Sequence, residues 1–197
     1  MKKIILWLVM VVSVQVLSAN VELEIKEHFN NKFESIRFVI KNNCNNKEKL
    51  FHDLENILVP IFDFELMAKL SLGKTQWKKM SKKERIKFID TYTQRMKTSY
   101  AKKLESFDDE KVNITSVLRK KNRIIINSTI KTTDKILDVI YKLYKPKKAK
   151  EGKEEWLIYD VEIIGISILK ADKAQFKDFL RTKSIDELML SLASQSK

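Results

Sequence analysis

Lys135-Ile136-Leu137-Asp138-Val139-Ile140-Tyr141-Lys142-Leu143-Tyr144 sets Leu137, Val139, Tyr141 and Leu143 on alternate positions. Successive side chains of a strand point to opposite faces, so this stretch reads as a strand with one apolar face. Segment 155–164 repeats the pattern, with Leu157, Tyr159, Val161 and Ile163 predicted to share a face. Segments 111–119 and 122–132 alternate as well and are rich in Ile, Val and Thr. Four such strands predict an antiparallel meander with one face covered by other elements. Pro146 to Glu154, rich in Lys and Glu, is the expected hairpin tip between the last two.

Upstream the period changes to that of a helix. Ile25, Phe29, Phe33, Ile36 and Ile40 form one stripe over residues 21–42, ended by Asn43-Cys44-Asn45-Asn46. A second helix from about Lys47 carries Leu50, Phe51, Leu54, Ile57 and Leu58 and is predicted to end at Pro60. Asp63 caps a third, with Phe64, Met67, Ala68 and Leu70, stopped at Gly73. Ser81-Lys82-Lys83-Glu84 is a capping box opening a long helix to about Leu104, with Ile89, Tyr92, Met96, Tyr100 and Leu104 on one face. Two short helices, around Phe176 to Arg181 and Ser184 to Ala193, close the chain; the second opens on the capping box Ser184 to Glu187. The order predicts an α+β architecture, with helices on one side of a four-stranded antiparallel sheet.

Apolar residues make up 44% of the 197 and charged residues 33%, the balance of a globular chain rather than a disordered one. Met1-Lys2-Lys3, the apolar run Ile4 to Leu17 and the small pair Ser18-Ala19 read as a signal peptide, cleaved near Ala19. Residues 1–19 are therefore expected to be removed, leaving 20–197 as a single exported domain. Cys44 has no cysteine partner, which excludes disulfides and thiolate zinc sites and suits an oxidising compartment. The three glycines, Gly73, Gly152 and Gly165, stand too far apart for a phosphate-cradling loop. The formal charge is +13, but only six of the 39 basic residues are arginine, the side chain nucleic-acid surfaces favour. The charge therefore reads as a solvated Lys-rich surface that an anionic membrane would attract, not as a nucleic-acid site.

The catalytic residue types do not assemble. His52 and Asp53 are adjacent on a helix and point about 100° apart, so they form no relay. Cys44 lies among asparagines with nothing to activate it. Asp160 and Glu162 share a strand face, which alternation places away from the apolar side. The sequons at Asn113 and Asn127 fall in predicted strands. The surplus is apolar and aromatic, which serves equally for a packed core or for a lined cavity.

Asp63-Phe64-Glu65-Leu66-Met67-Ala68-Lys69-Leu70-Ser71-Leu72-Gly73, followed by Trp77, resembles the helix-and-turn segment of the MlaC family. Thr98-Ser99-Tyr100-Ala101 is similar to an aromatic stretch of that family's long helix. Trp156-Leu157-Ile158-Tyr159-Asp160-Val161-Glu162-Ile163-Ile164-Gly165-Ile166-Ser167 looks like its most recognisable segment. Gln175-Phe176 and Ser184 to Leu190 resemble its closing helices. One departure stands out: Asp172-Lys173 occupies the place of a Tyr-Arg pair usual in the family.

The resemblance implies an NTF2-like α+β fold and a periplasmic phospholipid carrier that is not an enzyme and needs no cofactor. Its implied partners are a glycerophospholipid, an outer-membrane lipoprotein complex and an inner-membrane ABC transporter with an MCE-domain subunit. Predicted faces then nominate Met67, Leu70, Tyr92, Met96, Tyr100, Val139, Tyr141, Tyr159, Val161 and Ile163 as lipid-lining residues. Two alternatives stay open at this point. An NTF2-like enzyme for a small apolar substrate would need a buried carboxylate or histidine in the cavity. A periplasmic chaperone or adaptor would show open grooves instead of an enclosed space.

Overall fold

The computed structural model describes residues 2–43, 45–105, 110–132 and 134–195, with side chains from Val21 onward except at 104 and 105. Cys44 and the side chains of the expected signal segment thus lie outside the described residues. Helix α1 (Lys2–Asn43) extends beyond the predicted helix toward the amino terminus, so Ala19 falls inside a helix. Helices α2 (Lys47–Ile61), α3 (Phe64–Lys79) and α4 (Lys82–Glu105) follow, then strands β1 (Lys111–Lys120), β2 (Arg123–Lys131), β3 (Ile136–Tyr144), β4 (Leu157–Ile163) and β5 (Ile166–Ser167). Helices α5 (Ile168–Phe179) and α6 (Ile185–Ser194) end the chain. Among the described residues no helix is long and apolar enough to cross a membrane.

The fold is α+β with an antiparallel meander in the order β1-β2-β3-β4-β5, as the alternation predicts, with β5 added. That fifth strand is too short to show a period. It is made by a two-residue turn, Ile164-Gly165, between the paired residues Ile163 and Ile166. Both turn residues have positive φ, 49° at Ile164 and 76° at Gly165, as a tight hairpin turn of this hand demands. Glycine accepts that conformation freely, whereas a β-branched isoleucine is strained in it.

Three further helix boundaries differ from expectation. Pro60 lies within the last turn of α2 instead of ending it, and the Phe62 amide still donates to the Leu58 carbonyl at 3.1 Å. Gly73 (φ 74°) breaks the helical path of α3, yet the chain resumes helix to Lys79. Helix α5 starts eight residues before the predicted one, because Ser167 caps it by accepting from the Lys170 amide. Both predicted capping boxes form: Ser81 with Glu84, and Ser184 with Glu187.

One face of the sheet is apolar. Ile114 and Val117 of β1, Ile124, Ile126 and Ile130 of β2, Val139 and Leu143 of β3, and Ile158 and Val161 of β4 are buried in one core cluster. The stripe of α1 (Ile25, Phe29, Ile36 and Ile40) and Leu50, Leu54 and Leu58 of α2 belong to the same cluster. Bulges interrupt two strands, opposite Ser128–Asn127 in β1 and opposite Leu143–Lys142 in β4. The second bulge skips Tyr159: Asp160 pairs with Lys142, and Ile158 with Leu143. An extra residue resets the two-residue alternation, so Ile158 rather than Leu157 or Tyr159 joins Val161 and Ile163 on the inner side. Tyr159 instead meets Tyr144 edge to face, 6.0 Å between centroids.

Asp160, 3% exposed, accepts from the Ser167 hydroxyl at 2.8 and 2.9 Å and from the Leu169 amide at 3.2 Å. A carboxylate at the first turn of α5 satisfies its free amides and its dipole, and Lys142 bridges it to Glu162. The pair Asp160–Glu162 is thus built into the junction of β3, β4 and α5.

Helix α1 is tied to the β3–β4 connection by Glu154, which pairs with Lys32 and with His28 Nε2, each at 2.6 Å. Burial alone would raise the Glu154 carboxyl, but hydrogen bonds from Lys32 and His28 outweigh it and hold it below its usual range. A depressed folded-state pKa adds stability above the ordinary carboxylate range and loses it as pH falls through the folded value. Wild type should therefore unfold at a higher temperature than Glu154→Gln at neutral pH, and the gap should close on acidification. A gap that stays constant with pH would show that the tie contributes nothing through its charge.

Candidate functional site

A cavity of about 150 Å³ lies where the helices meet the inner face of the sheet. Its roof is α1, through Phe33, Ile36, Arg37 and Ile40. Leu58 and Ile61 of α2, with Phe62, and Tyr100 and Lys103 of α4 form the sides. The floor is Val112, Ile130, Val139, Tyr141, Ile158, Val161 and Ile163, with Glu110 at the start of β1. The lining is apolar except for Arg37, Lys103, Glu110 and the two tyrosines, and Lys103 is exposed, which marks the mouth.

Local structure explains why these side chains converge. The helical period carries Phe33, Ile36 and Ile40 down one side of α1, and Phe33 meets Tyr141 across the cavity, 5.3 Å between ring centroids. Val161 stands opposite Tyr141 in the β3–β4 register, so neighbouring strands present them side by side. Tyr100 packs on Phe62 (5.1 Å) and Phe64 (6.4 Å), which stack on each other at 5.3 Å.

The junction between α2 and α3 is fastened to the sheet. The Asp63 amide donates to the Ile158 carbonyl at 2.9 Å. The Asp63 carboxylate caps α3 through the Leu66 amide, accepts from the Tyr144 hydroxyl and pairs with Lys150 at 2.9 Å. Backbone carbonyls of Val59 and Phe62 also accept from Lys153, whose pKa burial pushes down. Phe62 is thereby held at the cavity side.

The two tyrosine hydroxyls differ from the others in the core. Tyr92 is fully buried but donates to Asp172 at 2.8 Å, and Tyr144 donates to Asp63. The Tyr100 hydroxyl is buried with no hydrogen-bond partner. Burial pushes the hydroxyl pKa up at both Tyr100 and Tyr141, so both remain neutral donors.

Of the ten residues nominated from predicted faces, the cavity brings together Tyr100, Val139, Tyr141, Val161 and Ile163. Met67, Tyr92 and Met96 are fully or nearly fully buried elsewhere in the core. Tyr92 packs with Phe88 and Phe176 and serves the Asp172–Arg95 cluster. Leu70 is on the surface of α3, and Tyr159 sits on the β4 bulge beside Tyr144. The contributions of α1 and α2 were not among the nominated residues. Their amphipathic stripes signal burial, but nothing in a single helix says that its stripe roofs a cavity.

His52 is exposed on α2, and Asp53 pairs with Lys49 at 2.6 Å and Asn43 at 3.2 Å, so neither approaches the cavity. Asp172 is buried and accepts from Tyr92 and from Arg95 Nη2 at 2.9 Å. Lys173 lies beside Gly73, where an added Cβ would meet its Cε at 3.4 Å.

Comparison with known proteins follows the same lines. The family model described as MlaC protein matches residues 17–194. The chain is 26% identical over 141 residues to the intermembrane phospholipid transport system binding protein MlaC of Haemophilus influenzae. That match covers 71% of this chain, and the chain spans 64% of the length of this curated relative. Among solved structures, the phospholipid-binding protein from Ralstonia solanacearum, in complex with a phospholipid, superposes with a TM-score of 0.73 at 17% identity. The superposition covers 87% of this chain and 96% of that one, which establishes a shared fold.

Proposed function

The chain belongs to the MlaC family, and from that premise we propose that it binds glycerophospholipid in the cavity under α1 and carries it across the periplasm. The observation that supports this most is the cavity itself, whose floor, sides and roof are mostly apolar, with Arg37, Lys103 and Glu110 its charged lining residues. Exposing acyl chains to water costs roughly 0.8 kcal/mol per methylene, so a carrier must enclose both chains and leave the headgroup outside. The solved relative with the same fold holds a phospholipid, and the H. influenzae relative is named for intermembrane phospholipid transport.

Residues 1–19 serve in this reading as an export signal cleaved near Ala19, and 20–197 as the carrier. The lipid is exchanged between an outer-membrane lipoprotein complex and an inner-membrane MCE-domain ABC transporter, without catalysis. About 150 Å³ is the scale of a cavity that encloses one benzene, so two acyl chains need a wider space. The Phe33–Tyr141 contact is where α1 and the sheet would part to provide it.

The test is lipid phosphorus and mass spectrometry on protein purified without detergent. About one diacyl lipid per protein is expected, retained as salt is raised, because burial of chains is not screened. Protein that is folded, holds no lipid and extracts none from labelled vesicles would end the carrier reading.

A further inference from the structure

A second space lies behind the first. Between α2 and α4 is a pocket of about 170 Å³, walled by Phe51, Leu54 and Leu58 of α2, Phe64 of α3, and Thr98 and Ala101 of α4. Leu54, Leu58, Phe64 and Ala101 are buried and give it an apolar base. Gln94 is exposed, so the pocket reaches solvent there, beside the ion pair of Lys97 with Glu55.

One layer of side chains divides this pocket from the cavity under α1. Leu58 lines both spaces. Phe62 lines the cavity and Phe64 the pocket, and the two rings stack with 5.3 Å between centroids and 6° between planes. Tyr100 and Ala101, consecutive on α4, divide in the same way, the first to the cavity and the second to the pocket. Protein interiors leave few voids larger than a water molecule, so two spaces that share a leucine call for an occupant. The cavity under α1 is by itself on the scale of one benzene, too small for two acyl chains. The pocket base suits a methylene chain. A phosphate finds no ready partner there, because Lys97 is already paired with Glu55. A change of rotamer at Leu58 joins the two spaces without moving the α2 backbone.

Resting on the lipid-carrier reading above, we infer that the pocket between α2 and α4 is a subsite for one acyl chain of the bound lipid, entered from the cavity past Leu58. The other chain stays under α1. The length of chain the protein carries is then set by the second pocket as well as by the first.

The experiment loads wild-type protein with phosphatidylglycerol bearing a diazirine near the end of both acyl chains, irradiates it, and locates the adducts by mass spectrometry of the digest. Phe51, Leu54, Gln94 and Thr98 line the pocket and not the cavity, so adducts on these residues are expected beside adducts on the cavity floor. Adducts confined to α1 and the strands overturn the inference and leave the carrier reading standing. A second arm uses Ala101→Phe, whose ring fills the pocket, with vesicles holding dioleoyl and didecanoyl phosphatidylglycerol in equal amounts. The retained ratio of long to short chains should fall about tenfold against wild type, the worth of about two methylenes denied burial. Leu58→Ala, which opens the partition, should move that ratio the other way. A wild-type ratio in folded Ala101→Phe overturns the inference as well. Wild type that takes up no lipid in either arm defeats the carrier reading and the inference with it.

Discussion

Val161→Trp should purify folded but nearly free of lipid, the bound phosphorus falling from about one per protein to near zero. Val161 is 4% exposed, lies on the cavity floor and stands beside Tyr141 in the sheet register. An indole at that position projects into a space of about 150 Å³, so it occupies what the acyl chains need. Overpacking costs typically about 1–3 kcal/mol, which a domain of this size survives. Leu118→Trp is the matched control, because Leu118 is 56% exposed, away from the cavity, and should leave lipid content unchanged. Circular dichroism establishes folding in both. Normal lipid content in folded Val161→Trp would remove the pocket from this place in the fold while leaving lipid binding itself intact.

Asp172→Ala should be the more damaging change to stability, by about 3 kcal/mol, with a fall in Tm of about 10 °C. The carboxylate is buried between α4 and α5, where it accepts from Tyr92 and pairs with Arg95. Burial, reinforced by the Asp172 charge, holds the Tyr92 hydroxyl pKa well above its usual value, so Tyr92 is a constant donor. Deleting the acceptor leaves a fully buried hydroxyl unpaired and a guanidinium only 16% exposed without its counter-ion. Gln195 still accepts from Arg95 at 3.0 Å, and Phe176 and Tyr92 still face it, which keeps the cost at the lower end for a broken buried pair. Tyr92→Phe should lose less, and the double variant should lose less than the sum, because both remove one shared bond. Strict additivity in that cycle would show that the Tyr92–Asp172 bond contributes nothing. Asp172 thus serves here in a buried pair with Arg95.

Much of the cavity floor was legible before any coordinates. Val139 and Tyr141 follow from strict alternation in β3, where no bulge intervenes between them and the residues they pair with in β2. Val161 and Ile163 follow from the same pattern in β4, on the far side of its bulge. Tyr159 does not, because the period-two rule assumes one residue opposite one, and at that point two residues of β4 stand opposite one of β3. Met67, Tyr92 and Met96 show the matching uncertainty in helices: an apolar stripe states that a face is buried, not whether it meets packed side chains or an open space.

Apart from the two-residue β5, the order of helices and strands, their capping boxes and the apolar face of the sheet were determined by the sequence alone. Each depends on neighbours within one or two turns or along one strand, where spacing and side-chain chemistry act directly. The tertiary structure decided the roof of the cavity and the side chain left without a partner within it. Phe33 reaches Tyr141, and Phe62 reaches Tyr100, only because α1 and the α2–α3 junction pack across elements distant in the chain. Whether a buried hydroxyl finds an acceptor depends on which atoms that packing brings within about 3 Å of it, and the spacing of residues along a chain carries no record of that distance.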